Sequence, residues 1–168
     1  MTAMTPPLSM GEIRFYVTRA IVGAGLDFGI GEALGQAIAA LAAGGSDPAP
    51  ALAAALQRLE AGEAGVNATL EEGRLSATGG GPLSCLRTGI ALADLGPAVR
   101  SFETDDPDLA RQIRDAISAQ DSPLPPDEGI RVDAEAWAVV QTFFARCLVP
   151  STDESRLSGA GAGLTDED

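Results

Sequence analysis

The chain has 168 residues, of which 45% are apolar and only 4% aromatic, with 11 basic against 24 acidic side chains, two cysteines and no histidine. This length suits one globular domain with its own core, and all 11 basic residues are arginine. Without lysine or histidine, Schiff-base chemistry, Ser-His-Asp triads and histidine-ligated metals cannot come from this chain, and a general acid or base must be Asp, Glu, Cys or Tyr.

The net charge of −13 repels phosphate backbones and anionic membrane surfaces, and the arginines are scattered singly from Arg14 to Arg156. Neither nucleic acid nor membrane is expected as a partner. Cys85 and Cys147 are too few for a disulfide framework and are not spaced as a metal or redox motif, so free thiols in a reducing compartment are expected. No positively charged leader with an apolar core opens the chain, and no stretch approaches the length of a membrane span. A cytoplasmic location follows as the expectation, with Asn67-Ala68-Thr69 then a chance sequon.

Residues 1–8 form a loose leader with Pro6 and Pro7, after which Ser9-Met10-Gly11-Glu12 has the form of a capping box. Apolar residues then recur at Met10, Ile13, Val17, Ala20, Ile21 and Ala24, the helical spacing, with Glu12, Arg14 and Arg19 off the stripe. Tyr16 lies one step off it, where packing and a partner contact are both open. A second stripe at Ile30, Leu34, Ala37, Ile38 and Leu41 closes at Gly44-Gly45. Glycine weakens a helix, so Gly31 and Gly35 want a reason: close approach of the first helix, or backbone approach to a ligand. Ser46-Asp47-Pro48 opens a third helix carrying Leu52, Leu56 and Leu59.

Beyond Gly62 the period changes to two: Val66, Ala68 and Leu70, a turn at Glu72-Gly73, then Leu75 and Ala77 form a hairpin. Three glycines and Pro82 break the chain, and residues 83–94 are a loop opening into a strand or short helix. A short strand is expected within 97–103, a helix from Asp106-Pro107, a proline-rich connector over 122–127, and a brief strand at 130–132. Asp133 caps a final helix with the stripe Trp137, Val140, Phe144, Cys147 and Leu148. The expectation is a helix-rich α+β domain over 1–150, with helices near 10–24, 30–43, 48–61, 107–119 and 134–147. It divides into a helical layer (1–62), a sheet-containing part (63–132) with a small antiparallel sheet, and the final helix (133–150). Residues 151–168 are a glycine-rich acidic tail, too poor in large apolar side chains to order itself.

Three groups could carry chemistry. Cys85, with Arg87 two residues on, is a nucleophile if the guanidinium lowers its pKa, or a small buried thiol. Arg87 and Asp94 bracket an apolar run, so Arg87 could grip a substrate carboxylate while Asp94 acts as acid or base; the bland alternative is an internal ion pair or two solvated ends. In the tail, Arg156, Gly159, Gly161, Gly163 and Asp166 are contact candidates, because alternating glycines let backbone lie flat on a surface; the alternative is a disordered linker. Asp166, Glu167 and Asp168 read as a solvated end rather than a metal site, and no metal or cofactor is expected.

The opening Leu8-Ser9-Met10-Gly11-Glu12-Ile13, then Arg19-Ala20, Gly23-Ala24-Gly25, Gly29 and Glu32, resemble a bacterial family of unknown function. So does the close, Val149-Pro150-Ser151-Thr152-Asp153-Glu154-Ser155-Arg156 and Gly159-Ala160-Gly161-Ala162-Gly163-Leu164-Thr165-Asp166-Glu167-Asp168, where the family ends GAGAGLTDND. Glu167 departs from that pattern, as does Leu148, which stands where the family commonly has tyrosine. The resemblance implies a cytoplasmic protein of bacteria with large catabolic repertoires, with no activity attached, and makes a docked tail the rival of a disordered one.

Two functional expectations follow. The first is an accessory protein or small subunit in small-molecule catabolism, a homo-oligomer or the partner of an enzyme, using its tail as contact arm. The second is a cofactor-free lyase, isomerase or hydratase acting on a small carboxylate through Arg87 and Asp94, or through Cys85.

Overall fold

A computed structural model describes residues 3–119, 121 and 123–148. The capping box forms as expected: the Glu12 amide donates to Ser9 Oγ at 3.1 Å while the Ser9 amide donates to the Glu12 carboxylate at 2.8 Å. It starts α1 (Met10–Gly23), followed by α2 (Phe28–Ala43), capped by Asp27 through the Ile30 amide, and α3 (Ala49–Glu60). The close-approach reason for the glycines is the one the structure supplies. A Cβ on Gly31 would lie 2.7 Å from the Thr18 carbonyl oxygen, and one on Gly35 would lie 2.8 Å from that of Arg14. The two helices therefore pack nearly backbone to backbone.

The hairpin follows as β1 (Ala68–Glu71) and β2 (Arg74–Ala77), paired antiparallel with Leu70 opposite Leu75. Its turn has positive φ at both Glu72 (48°) and Gly73 (81°), the two-residue geometry whose twist matches the strands. The segment expected as a loop opening into a strand or short helix forms α4 (Cys85–Leu95) almost from its start, then a short 3-10 turn (Gly96–Ala98). After it β3 (Ser101–Phe102) pairs parallel with β2, giving the order β1-β2-β3. The sheet is therefore mixed, not antiparallel, because α4 returns the chain to the same end of β2 before β3 begins.

The last helices are α5 (Pro107–Ser118), capped by Asp106, and α6 (Ala134–Ala145), capped by Asp133. Residues 130–132 do not join the sheet. They pair with the leader instead: Leu8 and Ile130 exchange amide-to-carbonyl hydrogen bonds at 2.8 and 2.9 Å, and the Thr5 amide donates to the Val132 carbonyl at 2.9 Å. The leader is held from Ala3 onward, not loose. Asp47 joins two helix starts, accepting from the Ala49 amide at 3.1 Å and from the Asp133 amide at 2.8 Å.

The main core lies where α1 packs on α2 and α6, α3 on α6, and α5 on α2 and α4, with Ile13, Ile21, Leu34, Ile38, Leu52, Leu56, Leu86, Ile113 and Phe143 closed to solvent. On α6 the buried residues are Trp137, Val140 and Phe143, so the inward stripe runs through Phe143, leaving Phe144 half-buried and Leu148 exposed. A smaller cluster of Leu75, Ala77 and Leu83 sits beneath the hairpin against Val99 and Phe102. The architecture is α+β, and no described helix is long and apolar enough to cross a membrane. The tail residues Arg156, Gly159, Gly161, Gly163 and Asp166 lie outside the described residues.

Candidate functional site

Two groups of side chains stand out, and the first surrounds the start of α4. Its N-cap residue, Ser84, makes no capping bond; its hydroxyl is buried with no hydrogen-bond partner among the described residues. The orphan amide is satisfied from a distant part of the chain, since Cys85 N–H donates to Asp105 Oδ1 at 2.6 Å. The other oxygen of Asp105, whose side chain is 5% exposed, accepts from Arg58 Nε at 2.8 Å. Thr104 completes the group, donating its hydroxyl to the Leu83 carbonyl at 2.8 Å and lying 3.1 Å from the Thr88 hydroxyl. Asp105 thus ties α3, α4 and the strand exit together.

The sequence candidates on α4 separate. Cys85 is closed to solvent, and burial first, then the Asp105 carboxylate, push its thiol well above the ordinary thiol value, with Arg58 opposing. These surroundings favour the protonated thiol over a thiolate nucleophile. Arg87 donates from Nε to the Val66 carbonyl at 3.0 Å, fastening α4 to the start of the hairpin. Asp94 is exposed on the last turn, seven residues from Arg87, which is about 10 Å along a helix axis. Arg87 and Asp94 do not form an ion pair with each other.

The second group lies on the outer face of α1, α2 and α6. Phe15 is 46% exposed and Phe28 55% exposed, unusual for large aromatic side chains, and Leu148 at the end of the described chain is 56% exposed. The Arg19 guanidinium stacks on the Phe15 ring, 4.1 Å from its centroid. Behind Phe15, Tyr16 packs on Phe144 with ring centroids 4.7 Å apart and meets Trp137 edge-on at 5.9 Å, which holds the exposed ring on a rigid base. A shallow depression of about 350 Å³ runs between α1 and α2, lined by Arg14, Phe15, Arg19, Phe28 and Glu32. Neither Arg14 nor Arg19 has a carboxylate partner among the described residues. The Cys147 thiol donates to the Arg19 carbonyl at 3.0 Å, so the chain leaves α6 beside this face.

Sequence reasoning passed over Phe15, Phe28 and the pairing of Arg58 with Asp105. A signal existed for the first two. Phe15 lies off the apolar stripe of α1 and Phe28 lies before that of α2, so each is a large aromatic on a face that the periodicity assigns to solvent.

A family model described as "Protein of unknown function (DUF3726)" matches residues 8–112, from the start of α1 into α5. No curated protein and no solved structure matches the chain.

Proposed function

We propose that this chain, which belongs to the DUF3726 family of proteins of unknown function, is an accessory protein or small subunit of small-molecule catabolism. It contacts a partner enzyme or a second copy of itself through the outer face of α1, α2 and α6. The observation that carries the reading is the pair of half-exposed rings, Phe15 and Phe28, with Arg19 stacked on one of them. Aromatic and arginine side chains are the residues enriched at the energetic centres of protein interfaces. A ring pre-set against Tyr16 and Phe144 loses little conformational freedom on binding.

The catabolic setting rests on the family resemblance at both ends of the sequence. The enzyme alternative gains no support from α4, where Arg87 is engaged with backbone and Asp94 stands apart from it. Replacing Phe15 and Phe28 by aspartate should abolish partner association while the chain still unfolds cooperatively, with only a modest fall in its thermal midpoint, since both rings lie outside the buried core.

A further inference from the structure

We propose that, in the unpartnered chain, the acidic segment 164–168 folds back onto the depression between α1 and α2 of the same molecule. Its carboxylates face Arg14 and Arg19, and Leu164 covers the Phe15 and Phe28 rings. Three observations carry this.

Charge complementarity is the first. In a chain with a net charge of −13, this depression carries two arginines without carboxylate partners among the described residues, against the single acid Glu32. Residues 149–168 carry five carboxylates and one arginine, with three of the carboxylates at Asp166, Glu167 and Asp168. Arginine binds carboxylate with charge-assisted, often bidentate, hydrogen bonds.

Apolar complementarity is the second: Leu164 directly precedes the acidic run in the order Leu-Thr-Asp-Glu-Asp, as the depression sets exposed rings beside its arginines. Reach is the third. The described chain ends at Leu148, next to Cys147, whose thiol touches the Arg19 carbonyl. From Arg19 back to Gly11, the far end of the depression, is about 12 Å along α1. Leu164 lies sixteen positions beyond Leu148. A glycine-rich coil of that length spans about 22 Å root-mean-square, so tether and site match and the local concentration of the segment is of millimolar order. An intramolecular ligand at that concentration outcompetes a second copy at micromolar protein. A partner would then have to displace the segment; that consequence alone rests on the proposed function.

The test uses the full chain with Phe28 replaced by p-benzoylphenylalanine, which the exposure of this side chain accommodates. Illumination at low salt should yield a cross-link from position 28 to residues 159–168 in a species of one chain's mass. The yield should fall about fivefold or more in high salt, where screening acts over only a few ångströms, and likewise in the triple variant Asp166→Asn, Glu167→Gln, Asp168→Asn. Arg14→Glu with Arg19→Glu should abolish the product, and adding Asp166→Arg with Asp168→Arg should restore it. Cross-links confined to the helical core, or a tail cross-link indifferent to neutralisation, would overturn the proposal. A tail cross-link found only in a species of two chains' mass would overturn it too, placing a second copy's segment in the depression. No partner enters the assay, so its failure leaves the reading of the outer face to be decided separately.

Discussion

Asp105 Oδ1 stands 2.6 Å from the backbone nitrogen of Cys85, so a carboxylate twenty residues downstream caps the helix that Ser84 begins but does not cap. Its second oxygen is engaged by Arg58 from α3. A buried carboxylate is tolerable here because both of its oxygens are satisfied, and removing it strands a guanidinium and an amide together.

Asp105→Ala should therefore lower the unfolding free energy by about 2 kcal/mol, the cost of leaving the Cys85 amide and a partly buried guanidinium without their shared acceptor. Ser84→Ala should be neutral or stabilising, since it deletes a buried hydroxyl that has no hydrogen-bond partner among the described residues. Urea unfolding of the two variants checks both. A loss for Ser84→Ala of about 1 kcal/mol, typical of a lost N-cap, would show that serine and not Asp105 caps α4.

The thiols should differ in reactivity. Cys147 is half-buried at the end of α6, whereas Cys85 is buried and its thiol pKa is raised by burial and by Asp105. A thiol-specific disulfide reagent should modify Cys147 readily in the folded chain and Cys85 only as it unfolds. The sign of the pH effect follows. Above the ordinary thiol value of 9.0 the unfolded chain loses the Cys85 proton while the folded chain keeps it, so stability falls as pH rises past that point. Cys85→Ala removes this loss, and its stability deficit relative to wild type should shrink from pH 8 to about pH 10. A constant deficit, or two thiols that react equally fast in the folded chain, would contradict the placement of Cys85.

At the other end of the pH scale the capping box is the reporter. The Ser9 amide, and then its hydroxyl, hold the Glu12 carboxyl below its ordinary value of 4.5. A depressed folded pKa means that the stabilisation is present above 4.5 and is lost as pH falls through the folded value. Titration of the Glu12 side chain by NMR should show the depression in wild type and a smaller one in Ser9→Ala, which removes the hydroxyl donor but keeps the Ser9 amide. Identical titrations in the two proteins would refute the box.

Much of the helical layer was legible because its signals are local. Ser9 and Glu12 and the stripe from Ile13 to Ile21 state their role within a few residues, whereas the choice between helix approach and ligand approach at Gly31 and Gly35 is made by the facing backbone of α1. The hairpin was legible for the same reason, with Glu72-Gly73 marking its turn. What escaped depends on pairings remote in sequence. Residues 83–94 are too mixed to reveal a helix by period, and their start is fixed by Asp105. Strand β3 is two residues long and takes its direction from the crossover of α4. The bond between the leader and residues 130–132 joins positions more than 120 apart, beyond any local pattern. The outer face had a local signal in two aromatics off the apolar stripes, but that Phe15 and Phe28 line one depression depends on how α1 packs on α2, which neither segment shows alone.

The measurement that bears most directly on the account is purification of the tagged full chain from its source organism beside the Phe15→Asp, Phe28→Asp form, with light scattering and mass spectrometry of both. The account predicts a stoichiometric assembly, with a second copy or an enzyme, for the native chain and a single chain for the variant, at least a tenfold loss of affinity of the kind that interface anchors produce. The same assembly in both preparations, or a solitary chain in both, would contradict the claim that this aromatic face is the contact surface.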